Sequence, residues 1–105
     1  MTAIYLVYIT LGDKTEAKRM GMTLVESRLA ACVNIIDEMH SMYWWEGQIQ
    51  EDQEVILLAK TTENNLPALK EKVNAMHSYE CPCIVCLPVT DGHGPYMDWI
   101  REQVV

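Results

Sequence analysis

Residues 31–61, ACVNIIDEMHSMYWWEGQIQEDQEVILLAKT, decide the fold. Two long strand-like runs, 31–43 and 49–61, flank Trp44-Trp45-Glu46-Gly47-Gln48, where Gly47 is the turn signal. They are expected to pair as an antiparallel hairpin. At about 3.3 Å per residue each arm reaches roughly 40 Å, which is long for a small chain.

Upstream, 4–10 is an apolar, β-rich run closed by Leu11-Gly12-Asp13. Asp13 and Glu16 have the spacing of a helix N-cap and its reciprocal partner. The helix that follows carries Ala17, Met20, Leu24 and Ser27 on one stripe, and Gly21 would let it approach a sheet closely. Downstream, Leu66, Leu69, Val73 and Met76 mark a second helix, with Asn64 as its expected cap and Pro67 in its first turn. A continuous apolar strand covers 84–90, and Gly92-His93-Gly94-Pro95 precedes a short last helix with Tyr96, Trp99 and Ile100 on one face.

The order βαββαβα, with right-handed crossovers, gives an α+β fold of the ferredoxin-like, split β-α-β type: one antiparallel sheet with helices on one face, spanning 1–105 as a single domain. A first helix of about 16 residues spans only about 24 Å, so the hairpin overhangs the body that carries it. Met39, Met42, Tyr43, Trp44 and Trp45 stand toward its tip, and an apolar ribbon with open edges needs a cover. A second copy of the chain is the simplest one. The alternative is a hairpin bent at a bulge and folded back over its own core.

Composition narrows the partners. Half of the 105 residues are apolar and 22% are charged, an ordinary globular balance. The net charge of −7, with no basic run to offset it, argues against nucleic acid and anionic membrane surfaces. The apolar stretch 3–11 has no basic flank and is too short to span a bilayer, so a cytoplasmic protein is expected. Its four cysteines, at 32, 81, 83 and 86, are then expected as free thiols.

The segment His77-Ser78-Tyr79-Glu80-Cys81-Pro82-Cys83-Ile84-Val85-Cys86 is the richest in chemistry. Pro82 biases Cys81 toward an extended backbone, so Cys81 and Cys83 project to one side and could chelate Cu(I) or Zn(II). Cys86 is expected to face away. The spacing is no structural-zinc pattern, and cysteines in a buried strand also serve as small core residues. Both readings stand. No local signature of a nucleophile activated by His40, His77 or His93 is present, so an enzyme is not expected.

Three jobs known for this architecture fail on residues. Copper-carrying domains need M-x-C-x-x-C after the first strand, where this chain has Thr10-Leu11-Gly12-Asp13-Lys14. Acylphosphatase-like chemistry needs an anion cradle with Arg in the same place. RNA-recognition domains need third-strand aromatics, and 49–61 has none.

Several motifs together resemble the divalent-cation tolerance family, CutA, over nearly the whole length. They are Ala31-Cys32-Val33-Asn34-Ile35, Ser41-Met42-Tyr43-Trp44-Trp45-Glu46-Gly47, Glu54 with Lys60-Thr61, His77-x-Tyr79-Glu80-x-Pro82 and Tyr96-x-x-Trp99. One departure is visible: the family usually has proline after the motif histidine, and Ser78 here is expected to leave that loop less rigid. The resemblance implies a homotrimer, similar in architecture to the PII signal proteins, whose hairpins clasp their neighbours. It implies a role in tolerance to copper and other divalent metal ions, with no organic cofactor. His77, Glu80, Cys81 and Cys83 are the expected metal residues, and Asn34, Trp45, Lys60 and Tyr79 are placed around an inter-subunit cleft. A PII-like scaffold that binds a small ligand or partner protein is the alternative. Structural roles compete at each position: Lys60 and Glu80 as an ion pair, Trp45 and Tyr79 as interface anchors.

Overall fold

In a computed structural model that describes all 105 residues, eight elements follow one another. They are β1 (Ile4–Leu11), α1 (Lys14–Glu26), β2 (Cys32–Trp45), β3 (Gln48–Thr62), a 3-10 turn (Glu63–Asn65), α2 (Leu66–Met76), β4 (Ile84–Val89) and α3 (Gly94–Gln103). The sheet order is β2-β3-β1-β4, and every pairing is antiparallel. This is the expected ferredoxin-like arrangement. Strand alternation puts Val7, Ile9, Leu11, Val55, Leu57 and Ala59 on one face, where they pack with Ala17, Met20, Leu24, Leu69 and Val73 from α1 and α2. At Gly21 α1 packs tightly on the sheet. A Cβ there would lie 2.9 Å from Val33 Cγ2 and 3.4 Å from Leu57 Cδ1.

The third helix lies on the other face of the sheet from the first two. Ile100 packs with Ile4 and Ala31, and Tyr96 reaches Lys60 and Cys32, so α3 covers one end of the opposite face. The rest of that face presents Leu6, Tyr8, Asn34, Ile36, Leu58, Val85 and Leu87, none of them buried.

Helix ends differ in detail from expectation. Asp13 is the N-cap of α1, its Oδ1 accepting from the Glu16 N–H at 2.8 Å, but the Glu16 carboxylate does not return to Asp13. Ser27 lies at the C-cap of α1, its hydroxyl donating to the Thr23 carbonyl at 2.7 Å. Asn64 falls inside the 3-10 turn, so Asn65 precedes α2. Its side chain donates to Thr62 Oγ1 and the Val105 carbonyl.

The hairpin is tighter at its tip than expected. Trp45 pairs with Gln48, leaving a two-residue turn in which Glu46 and Gly47 have φ of 51° and 79°, the positive values that a twisted hairpin turn requires. The long axis of the chain is 44 Å, against 25 and 23 Å for the others. Trp44, Met42 and Ile49 are 72%, 69% and 64% exposed, so the tip projects rather than folding over its own core.

A bulge nevertheless interrupts β2. The register slips between Ile36 and Met39, and Glu38 has φ 62°. An inserted residue reverses which side chains face which way beyond it. Before the bulge, Asn34 and Ile36 share a face with Leu58 and Ile56. After it, Met39 stands opposite Glu54 and Ser41 opposite Asp52, so the odd-numbered residues Met39, Ser41, Tyr43 and Trp45 take that face.

Candidate functional site

A cavity of about 760 Å³ opens on the sheet face away from α1 and α2, between the stem of the hairpin and residues 79–83. Tyr8 and Thr10 of β1, Tyr43 and Trp45 of β2, Asp52 and Glu54 of β3, and Tyr79, Glu80, Cys81 and Cys83 line it, with Gly12, Ser41, Met42 and Gln53. Alternation explains Tyr8, Thr10, Tyr43, Trp45, Asp52 and Glu54, and the bulge is what turns Tyr43 and Trp45 toward it.

The loop that closes the other side is held from below by His77 and Glu16. His77 Nε2 lies 2.7 Å from the Thr10 carbonyl, and its Nδ1 accepts the Tyr79 N–H at 3.0 Å. A carbonyl can only accept and an N–H can only donate, so the ring is the neutral tautomer protonated at Nε2. Both nitrogens are committed, and the side chain is fully buried. His77, expected as a metal ligand, is thus a loop anchor, its ring packed against Tyr79 with centroids 4.7 Å apart.

Glu16 supplies the second anchor. One carboxylate oxygen accepts from the Ser78 N–H at 2.8 Å and the other from the Ser78 hydroxyl at 3.0 Å. Ser78 therefore does not loosen the loop as expected. Proline at this position would offer neither donor, and serine ties the loop to α1 in its place.

Inside the cavity two of the three phenols point at carboxylates. Tyr79 donates to Glu54 Oε2 at 2.8 Å, Tyr43 donates to Asp52, and Tyr8 reaches Met39 Sδ at 3.3 Å. Burial, then Cys83 and Glu54, raise the Tyr8 pKa. The hydrogen bond to Asp52 raises that of Tyr43. Burial and then the bond to Glu54 push Tyr79 furthest, well above the ordinary phenol range. The fold thus holds neutral Tyr79, a contribution complete below its unfolded value of about 10 and lost as pH rises beyond it. Thermal stability should fall as pH is raised through about 10 to 11, and Tyr79→Phe should flatten that fall. Equal slopes for both proteins in melting scans would show that Tyr79 does not carry it.

Within one chain the residues expected around an inter-subunit cleft fall in two places. Trp45 and Tyr79 line the cavity with Glu80, Cys81 and Cys83, whereas Asn34 and Lys60 lie farther along the same face. Lys60 is six residues from Glu54 on β3, about 20 Å at strand rise. Its ammonium donates to the Tyr96 hydroxyl at 3.2 Å, and that contact keeps its pKa above the ordinary lysine value. Within the chain it makes no ion pair with Glu80. Cys32 Sγ lies 3.6 Å from the same hydroxyl, and Tyr96 stacks on Trp99 at 5.5 Å.

All four cysteines are free. Cys81 and Cys83 both line the cavity, and Cys86 packs on the helix side. Nowhere in the chain do three His, Cys, Asp or Glu side chains stand together closely enough to hold a metal ion. Tyr8, Tyr43, Asp52 and Glu54 were not anticipated as site residues. Only Glu54, a carboxylate abutting the apolar run Val55-Ile56-Leu57, carried a local hint.

The family model of the CutA1 divalent ion tolerance proteins matches residues 5–103. The chain belongs to that family. The divalent-cation tolerance protein CutA of Thermus thermophilus is 48% identical over 98 residues, which are 93% of this chain and 95% of the relative. The solved structure of the Thermus thermophilus protein superposes with a TM-score of 0.95, covering 97% of this chain and 99% of that one at 46% identity. The crystal structure of CutA1 from Oryza sativa gives 0.96, covering 99% and 95% at 38% identity. Human protein CutA is 39% identical over 95% of this chain, which spans 56% of the human protein's length. Membership in the CutA1 family puts the protein's role in tolerance to divalent metal ions.

Proposed function

We propose that this CutA1 family member is a cytoplasmic, non-catalytic homotrimer that serves metal tolerance by holding copper or another divalent ion at the thiol end of the cavity. The observation that supports this most is the lining. Two thiols and three carboxylates share one space that no Lys, Arg or His enters. Cys81 and Cys83 would hold the ion, with Glu80 beside them. Thiolate donors select soft and borderline ions, and Cu(I) accepts two of them without a third ligand. His77 is left out, since a coordinating nitrogen would have to give up its backbone partner.

What a single chain leaves uncovered supports the trimer. The sheet face exposes Ile36, Val85 and Leu87 and the ribbon exposes Met42, Trp44 and Ile49, apolar surface of the kind that marks an interaction site. Three copies around an axis would bury both. Titration of the purified protein with Cu(I), Cu(II) and Zn(II) is expected to show stoichiometric binding, lost when Cys81 and Cys83 are both changed to Ala. Binding that is absent, or unchanged in that variant, would remove the metal reading.

A second reading is favoured by the other end of the face, where Lys60, Tyr96 and Cys32 meet. A PII-like scaffold would take a small anion or a partner protein there. Silence in a thermal-shift screen of nucleotides and carboxylates would count against the anion.

A further inference from the structure

His77 and Glu16 are buried titratable groups that the metal reading leaves unused. The imidazole has no exposed surface, and the carboxylate beside it is nearly enclosed. Both belong to one set of contacts made wholly within the chain. Nε2–H donates to the Thr10 carbonyl at 2.7 Å, the Tyr79 N–H donates to Nδ1 at 3.0 Å, and the N–H and hydroxyl of Ser78 donate to the two oxygens of Glu16 at 2.8 and 3.0 Å. A neighbouring copy finds no ring surface to touch, so this set holds in an assembly as it does in one chain.

The two ring nitrogens respond differently to acid. Nε2 already donates, and its bond to β1 survives protonation of the ring. Nδ1 carries the lone pair, and a proton there sets one donor against another, the Tyr79 N–H. The nearest anion is Glu16 Oε2, which lies 4.0 Å from Nδ1 and accepts the Ser78 N–H. A charged ring draws that oxygen away from Ser78. One proton thus breaks the Tyr79 bond and competes for the bonds at Ser78.

Burial opposes the charge, and two features of the surroundings favour it. One is Glu16 itself. The other is the end of α2: His77 is its C-cap residue, at the negative pole of a helix whose last turn carries no basic side chain. The remaining neighbours are uncharged. β1 presents the Thr10 carbonyl, and the loop presents the Tyr79 phenol, bonded to Glu54 of β3. Asp13, at the start of α1, is turned to the Glu16 N–H.

We propose that His77 and Glu16 form a proton-operated latch on the loop that follows α2. With the ring neutral, Ser78 and Tyr79 are fastened to α1 and to the imidazole. With Nδ1 protonated and paired to Glu16, both are released while the ring stays on Thr10. The latched form needs a bare Nδ1, so lowering the pH favours the open one. The freed segment leads to Cys81 and Cys83, yet the latch uses neither thiol and does not depend on the metal reading.

Hydrogen exchange of the metal-free protein, followed by NMR at about pH 8 and about pH 5, brackets the histidine range. After correction for the intrinsic slowing of exchange in acid, protection of the Tyr79 amide should fall about tenfold or more, while that of the core residues Val7 and Leu57 is kept. The His77 ring nitrogens should change over the same interval from the Nε2–H tautomer to the doubly protonated form. Glu16→Gln keeps an acceptor and removes the charge, and should move both changes to lower pH; His77→Gln should abolish the pH dependence at Tyr79. Equal protection at the two pH values, a ring still neutral at the lower one, a fall shared by Val7 and Leu57, or the same fall in His77→Gln would overturn the proposal. Should His77→Gln fail to fold, Glu16→Gln decides, and an unmoved transition in that variant is fatal to the latch.

Discussion

Leu57→Ala is expected to lower the unfolding free energy by about 2–5 kcal/mol, the largest effect of any single substitution considered for this chain. Leu57 is fully buried in β3, which lies between β1 and β2, and its δ-carbon lies under Gly21 of α1. The loss has two parts: the transfer energy of the deleted carbons and the cavity they leave. Relaxation decides between the ends of the range, and here it is restricted. α1 already sits as near the sheet as a helix without a side chain at position 21 permits, and the ladders to β1 and β2 hold β3 on both sides. A value in the upper half is therefore expected. Denaturant unfolding at fixed chain concentration measures it, since any assembly adds a concentration-dependent term. A loss under about 1 kcal/mol would show that the helix settles into the gap.

Val85→Glu should act on assembly and spare the fold. Val85 lies on the edge strand β4, 47% exposed on the face opposite α1 and α2, next to Tyr8 in the ladder. In an isolated chain a glutamate there stays in water and costs little. In a trimer that buries this face, three symmetry-related carboxylates would be desolvated without partners, several kcal/mol against association. Sedimentation is expected to change from three chains to one, with the circular dichroism of the single chain retained. An unchanged sedimentation coefficient would place the subunit contact elsewhere.

Much of the fold is legible in order along the chain. Asp13 caps the first helix, Gly21 marks its close approach, and Leu69 with Val73 mark the buried stripe of the second. These signals are local: a cap acts within one turn, and a helical stripe repeats within a few residues. The candidate site is less legible. That Cys81 and Cys83 share one side is legible because their spacing across Pro82 is local information. The partners of His77 and Glu16 are not legible for the opposite reason. What commits His77 is the Thr10 carbonyl, 67 positions away, and what occupies Glu16 is Ser78, 62 positions away. A spacing rule that expects Glu16 to return to Asp13 has no access to a competing donor at that distance.

The sequence by itself determined the element order, the antiparallel hairpin and its excess length, because hydrophobic period, turn residues and residue count are properties of the chain alone. Only the tertiary structure decided which side of the ribbon faces the cavity. Alternation along 32–45 is regular up to Ile36, and the backbone at Asp37 and Glu38 then inserts one residue and reverses it. That slip places Tyr43 and Trp45 with Asp52, Glu54 and Tyr79. Pairing register depends on both strands and on the core beneath them, so the reversal exists only once β3 is in place.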